Sequence, residues 1–293
     1  MADRGGPAAY LGARGCPDVR GAGPPGIGGY PDALPGPARA DLSAMPTLTP
    51  RATASLAGLV AVAVLSSSCS YGPTREAPTP IPPGIPPAAG APVPSVDINA
   101  PGRTSDQLRE WAAGLNEPMN IPVAALAAYG NAAETMRQTR PECNLAWTTL
   151  AGIGHVETRH GRYRGASLSD DGYALPPIIG IKLDGSPGFA DIPDTDGGEL
   201  DGDTENDRAV GPMQFIPESW RKYGVDANGD GRADPNQIDD AAVSAARLLC
   251  TNGGDLSQAE NWQRAVLAYN ASREYVMDVR DAAAAYSVGT TAP

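Results

Sequence analysis

Through the second two thirds of the chain, apolar residues recur at helical spacing, and no stretch alternates the way a half-buried strand does. Thr104 and Gln107 have the form of a capping box ahead of Leu108, Trp111, Ala112 and Leu115. Pro122 suits the first turn of a second helix running to Met136. The spacing predicts a third helix from Leu145 to Thr158 and a short one opened by Pro217 and ending at Tyr223. Further helices are expected at 238–250, 259–269 and 273–286, the last capped by Ser272. Between the third helix and Pro217 lies a loop, 160–210, rich in Gly and Asp, and loops this long in compact domains usually carry function. The pattern predicts an all-α fold with at most a small hairpin in that loop.

The first third reads differently. From Met45 the chain passes Arg51, runs apolar over 56–65, and meets Ser66, Ser67, Ser68 and Cys69. A basic start, an apolar core and small residues before a break are the layout of a secretory signal peptide, and the run falls short of the roughly 20 residues that a bilayer-spanning helix needs. The expected division is an extension or disordered tail at 1–44, a signal segment at 45–69 and a Pro-rich linker at 70–102. A helical domain at 103–288 and a tail at 289–293 complete it. Cys69 stands where a lipobox carries its lipid-bearing cysteine, although Ser66 occupies the place where Leu is usual. A membrane-anchored lipoprotein and a freely exported protein are the two localisations this implies.

Composition sharpens the boundary. Of 35 Gly and 30 Pro, 14 Gly and 18 Pro fall in the first 98 residues, and the net charge of -12 belongs wholly to the remainder of the chain. An acidic domain without a basic stripe argues against a nucleic-acid partner and against docking on anionic head groups. About 195 residues suffice for one well-buried core, expected as a monomer. Apart from Cys16, the cysteines are Cys69, Cys143 and Cys250. Lipidation of Cys69 would leave Cys143 and Cys250 to pair in an exported protein, the alternative being two buried free thiols.

Candidate chemistry narrows quickly. His155 and His160 are the only histidines, no HExxH or G-x-S-x-G occurs, and the H-x-E at 155–157 lacks the P-C-x-x-C of a deaminase. Carboxylates remain. Ala146, Leu150 and Ile153 share a helical stripe, and Glu157 continues it. Burial there, together with the negative end of the helix dipole, would raise its pKa and keep it protonated as a general acid. Alternatively Glu157 turns outward to pair with Arg159 or Arg162.

Four motifs then stand in order: Ala151-Gly-Ile-Gly-His-Val-Glu157-Thr-Arg-His-Gly161, Ala209-Val-Gly-Pro-Met-Gln-Phe-Ile-Pro217, Asp226-Ala-Asn-Gly-Asp-Gly231 and Ala268-Tyr-Asn270. Over roughly 105–286 the chain resembles the lytic murein transglycosylases of the membrane-bound B type. The resemblance implies a lysozyme-like helical fold, peptidoglycan glycan strands as partner, and Glu157 as the sole catalytic acid and base. It also implies a sugar cleft lined by Met213, Gln214, Tyr269 and Asn270. Thr158 departs from the Ser usual in that family but keeps a hydroxyl. Phe215 and Tyr163 lie beside the motifs and, with Tyr223, are candidates to stack on sugar rings, core packing being the alternative. Gln214 offers donor and acceptor to an acetamido group, or else satisfies backbone.

Asp226, Asn228, Asp230 and Gly231 occupy the first, third, fifth and sixth positions of an EF-hand loop, but position twelve is Gln237, which has no carboxylate. The family's loop is longer and closes on a later Asp, matching Asp240. The implied structural calcium ligands are Asp226, Asn228, Asp230, the Arg232 carbonyl and Asp240. Residues 191–207 carry eight acids and no base. There Asp194, Asp196, Asp201 and Asp203 read better as a solvated charged loop than as a second ion site. Two further function classes fit the same residues: a lysozyme-like muramidase using water, and a non-catalytic wall-binding lipoprotein. An acid on an apolar stripe counts against the second.

Overall fold

The computed structural model describes residues 83–293. The extension 1–44, the signal-like segment with Cys69 and the beginning of the Pro-rich stretch lie outside the described residues.

Seven α-helices form the body of the described chain: α1 Arg109–Met119, α2 Val123–Thr139, α3 Trp147–Thr158, α4 Pro217–Tyr223, α5 Ile238–Gly253, α6 Ala259–Tyr269 and α7 Arg273–Ser287. Pro122 stands just before α2, and Pro217 opens α4, where a missing N–H costs nothing. Ser272 caps α7, its hydroxyl accepting from the Tyr275 N–H at 3.3 Å. The expected capping box at Thr104 does not form. Thr104–Leu108 is a 3-10 turn, Thr104 bonds Asn131 Oδ1, and Gln107 clasps the Asp97 backbone through both amide atoms. These polar groups find partners across the fold in place of their own helix start.

The long loop is also more ordered than a single small hairpin. β1 (Ser167–Leu168) pairs antiparallel with β2 (Ala174–Leu175), and β3 (Ile179–Lys182) pairs antiparallel with β4 (Arg208–Val210). Strands of two to four residues are too short for alternation to register. The all-α expectation is therefore amended to a helical body carrying two small ladders.

The core forms where α2, α3, α5 and α7 meet, and small residues set how near they come. Ala125, Ala127, Ala128 and Ala132 of α2 are buried, as are Ala241, Ala242, Ala245 and Ala246 of α5. A Cβ added at Gly152 would lie 2.7 Å from the Val279 carbonyl, so α3 and α7 touch nearly backbone to backbone. Such packing leaves little room for side chains to adjust, and groups on facing helices are held tightly.

The described part of the Pro-rich stretch, 83–102, lies along this body and does not stand off as a free spacer. Trp147 Nε1 donates to the Ala91 carbonyl (2.9 Å), Thr148 Oγ1 to that of Ala88 (3.0 Å) and Gln138 Nε2 to that of Val96 (2.7 Å). Val96 itself is buried. An extended Pro-rich chain has no internal hydrogen bonds, so its carbonyls are available to side-chain donors. Among the described residues no helix is long and apolar enough to cross a membrane.

Cys143, at the end of a 3-10 turn before α3, is joined to Cys250 of α5, with Cα atoms 5.4 Å apart and a sequence separation of 107. On the chain-entropy account a loop of this length contributes about 4.7 kcal/mol. Replacing both cysteines by Ser should lower the unfolding free energy by roughly that amount in a urea titration, within the usual 2–5 kcal/mol range. Peptide mapping without reductant should find the two joined.

Candidate active site

Glu157 sits in the last turn of α3 and, of the two directions the apolar stripe left open, takes the inward one. Leu150, Ile153 and Trp147 on the same helix are buried, and Glu157 is itself only 2 % exposed. Neither Arg159 nor Arg162 pairs with it, and Arg162 reaches Asn120 instead. One carboxyl oxygen, Oε1, accepts a hydrogen bond from the Tyr275 hydroxyl at 2.6 Å, and Oε2 has no protein partner. Burial pushes the Glu157 pKa up to about 8, with the Tyr275 bond pulling weakly the other way. Among the described residues, no second carboxylate bonds Glu157 or perturbs its ionisation. A neutral acid at neutral pH with one open oxygen is equipped to donate a proton.

Tyr275 was not singled out from the sequence. It lies in the first turn of α7, on the buried face it shares with Val276 and Val279. Its position relative to the Ser272 cap gives the register. Only the fold, however, brings that turn to the end of α3.

From Tyr275 the site continues as a ladder of rings. Tyr275 lies parallel to Tyr269 with centroids 6.4 Å apart, and Tyr269 meets the Phe215 ring at 5.7 Å. Phe215 in turn packs edge-on against Trp220. The Tyr269 hydroxyl donates to the Met213 carbonyl at 2.6 Å, fixing the turn after β4 to the end of α6. Within that turn Gln214 adopts φ 50°, a strained choice for a residue with a side chain, and its Nε2 donates to the Gly211 carbonyl at 2.9 Å. Asn270, just past α6, accepts the Ser272 N–H. Thr158 holds the same turn from the other side, its hydroxyl donating to the Pro212 carbonyl and accepting from the Gly161 N–H. Met213, Gln214, Phe215, Tyr269 and Asn270 are thus brought together, buried, in one structure that reaches Glu157 through Tyr275. Tyr163 is placed elsewhere, against Ala166, Ala174 and Ile178, with the Arg164 guanidinium 5.1 Å from its ring centre. Tyr223 is buried in the main core.

The Asp226 loop is closed by its own carboxylates. Asp226 accepts the N–H groups of Gly229 and Gly231, and buried Asp240 accepts those of Ala227, Asn228 and Asp234. Burial pushes Asp240 up to about 6, the Asp226 charge adding to the effect and the backbone bonds opposing it. Asp230 receives the Tyr173 hydroxyl at 2.7 Å, which ties the β1–β2 hairpin to this loop. Gln237 does not face the loop as a ligand; its Oε1 caps α5. A carboxylate oxygen accepting one bond keeps a second lone pair. Asp226, Asp230 Oδ1 and Asp240 Oδ2 therefore retain acceptor capacity for a hard cation. Asn228 Oδ1, which accepts the Asp230 N–H, does too.

In the 191–207 loop the acids that gather are not the four named from the sequence. Ligand oxygens of Asp194, Asp196 and Asp207 lie within 4.8 Å of one another. Asp201 and Asp203 are instead drawn to Arg208, with Lys182 also on Asp203.

Comparison with known proteins bears on part of this arrangement. Residues 207–277 match the family described as the transglycosylase SLT domain. The matched stretch holds the Gln214 turn, the Asp226 loop, Asn270 and Tyr275, and Glu157 precedes it. A structure of the Escherichia coli lytic transglycosylase Slt35 in complex with bulgecin A is similar at 17 % identity, covering 65 % of this chain and 81 % of that one, with a TM-score of 0.33. That score is too low to bear on the fold. No curated protein matches the chain.

The raised Glu157 pKa has a consequence for stability. A group protonated in the fold but ionised in the unfolded chain contributes fully below its unfolded pKa. The contribution shrinks as pH rises past the ordinary carboxylate value of 4.5 and is gone above about 8. Glu157→Gln, which removes the ionisation, should therefore match wild type near pH 4 and exceed it near pH 8. At pH 8 the margin should be at least about 1–2 kcal/mol, read from urea titrations at the two pH values.

Proposed function

We propose that this protein is a peptidoglycan lytic transglycosylase of lysozyme-like fold, cleaving the β-1,4 bond between N-acetylmuramic acid and N-acetylglucosamine. The observation that carries the reading is the solitary burial of Glu157. A glycosidase that hydrolyses with two carboxylates keeps the second about 5–5.5 Å away as nucleophile, or about 6.5–9.5 Å away to activate water. Among the described residues no carboxylate bonds Glu157 or shifts its ionisation, which favours a route in which the substrate supplies its own nucleophile. The SLT match over 207–277 and the four ordered motifs support the same assignment.

Glu157 then acts twice. As an acid it gives its proton to the glycosidic oxygen while the bond from that oxygen to the muramyl C1 breaks. The resulting carboxylate takes the proton from the muramyl C6 hydroxyl as that oxygen bonds C1. The carboxyl is regenerated, no water is consumed, and the product ends in a 1,6-anhydromuramyl unit. Tyr275 holds Glu157 Oε1, leaving Oε2 as the oxygen that exchanges the proton. Met213, Gln214, Phe215, Tyr269 and Asn270 line the sugar cleft, the amides answering acetamido and hydroxyl groups and the rings offering apolar faces. This activity sets the protein in the cell envelope, exported and anchored through a lipid on Cys69 or released to the wall, as a monomer.

The Asp226 loop fits a structural calcium ion held by Asp226, Asn228, Asp230, the Arg232 carbonyl and Asp240, hard oxygen ligands on a sharply turned loop. The ion's part would be to set this loop and, through Tyr173 on Asp230, the β1–β2 hairpin. Calcium at a hundredfold excess over its dissociation constant would stabilise the fold by about 2.7 kcal/mol. Chelator should lower the melting temperature of wild type and leave Asp230→Ala nearly unmoved. An unchanged wild-type melting curve would remove the site.

The reaction is tested by incubating purified peptidoglycan with the protein and weighing the fragments. Anhydro ends, lighter by one water than reducing ends, are expected. Reducing ends would instead assign a muramidase, and intact glycan a binding protein. Glu157→Gln should lower turnover by at least the 10²–10⁴-fold, roughly, that general acid–base catalysis contributes.

A further inference from the structure

The turn that carries Glu157 ends α3 in an unusual way. Three successive residues take left-handed backbone angles: Arg159 (φ 51°), His160 (63°) and Gly161 (81°). Glycine adopts this freely, but for Arg159 and His160 it is strained and persists only where the surroundings enforce it. The enforcement comes through the His160 ring, which is 1 % exposed. Its Nδ1 lies 3.2 Å from the Tyr129 hydroxyl of α2, and its Nε2 lies 2.9 Å from the Tyr286 hydroxyl of α7. Tyr286 also reaches His155 Nδ1, one turn back on α3, at 2.9 Å.

Proton counting gives this chain one self-consistent direction. Tyr129 O–H donates to His160 Nδ1, His160 Nε2–H to Tyr286, and Tyr286 O–H to His155 Nδ1. Each of these donors finds one acceptor as long as both imidazoles stay neutral. Burial and the neighbouring charges of Arg159 and Arg162 hold the His160 pKa well below its ordinary value, so they do. Burial raises the phenol pKa values of Tyr129 and Tyr286, keeping both as hydroxyls. The site is also cut to fit: a Cβ at Gly154 would fall 2.0 Å from the Tyr129 hydroxyl and 3.3 Å from His160 Nδ1. The His160 N–H closes the turn on the Gly154 carbonyl at 2.8 Å. None of these groups bonds Glu157, whose side chain among the described residues bonds Tyr275 alone.

We propose that His160 is a positioning residue for Glu157. Its neutral imidazole pins the left-handed turn between α2 and α7 and thereby fixes the Glu157 carboxyl against Tyr275. The proposal rests on the reading of Glu157 as the acid. The same helix α7 supplies both ends of the clamp, Tyr275 on the carboxyl and Tyr286 on the imidazole. Loss of the pin frees the turn to relax from its strained angles, and Glu157, three residues earlier, moves toward water.

The test is a carbon-13 NMR titration of the Glu157 carboxyl in the full chain, without substrate, for wild type, His160→Phe and Tyr286→Phe. Glu157→Gln assigns the signal. The Glu157 midpoint should fall by more than about half a pH unit in His160→Phe and move in the same direction in Tyr286→Phe. An unmoved midpoint in the folded variants overturns the proposal. Should His160→Phe fail to fold, Tyr286→Phe, which loses a single oxygen, decides alone. Peptidoglycan turnover is measured in parallel. A drop in kcat of about 10–100-fold with KM nearly constant is expected of a displaced acid. Wild type inactive on peptidoglycan would defeat the functional reading while the titration still judges the positioning. Activity losses that follow only the fraction of folded protein, with the midpoint fixed, would reduce His160 to a structural role.

Discussion

A carboxyl group held out of water is the constraint on which this structure turns. An ionised Glu157 at this depth would need a cation or several hydrogen bonds. The fold supplies neither, giving it one hydroxyl from Tyr275 and leaving the other oxygen open. The group answers by keeping its proton, which is the usual response of a buried acid without a partner. The arrangement works against stability above the ordinary carboxylate pKa and in favour of proton donation at neutral pH, a trade that active sites commonly make.

Holding such a group in place requires rigidity around it, and the sequence provides this through small residues and paired polar groups. Gly152 and the alanines of α7 bring that helix close to α3. Thr158 ties the end of α3 to the Pro212 carbonyl, while Tyr269 ties the same loop to α6 through Met213. The ladder of rings from Trp220 to Tyr275 then joins these attachments into one surface. Each bond is modest alone, worth about 1 kcal/mol net, but buried polar groups that are mutually satisfied specify a single arrangement.

Much of this was legible before the fold was known, for reasons that differ by element. Glu157 declared itself because Leu150 and Ile153 set a period that it continued. The bounds of α4 and α6 followed from Pro217 and from the Tyr269–Asn270 break. Periodicity reports on one helix at a time, so it could not say that Tyr275 would meet Glu157 across a gap of 118 residues, or that Thr104 would bond Asn131 and leave its own helix start uncapped. The docking of 83–102 was hidden for a related reason. A Pro-rich segment looks the same whether its carbonyls face water or Trp147 and Thr148. In the acidic loop, charge density alone does not reveal which aspartates Arg208 and Lys182 will draw away.

The central claim is that Glu157 carries a proton at neutral pH, and vibrational spectroscopy addresses it directly. An infrared difference spectrum between wild type and Glu157→Gln at pH 7 should show the carbonyl stretch of one protonated carboxylic acid, shifted by deuterium exchange and vanishing as the solution is made alkaline beyond about pH 8. A difference spectrum containing only the paired bands of a carboxylate at pH 7 would contradict the account.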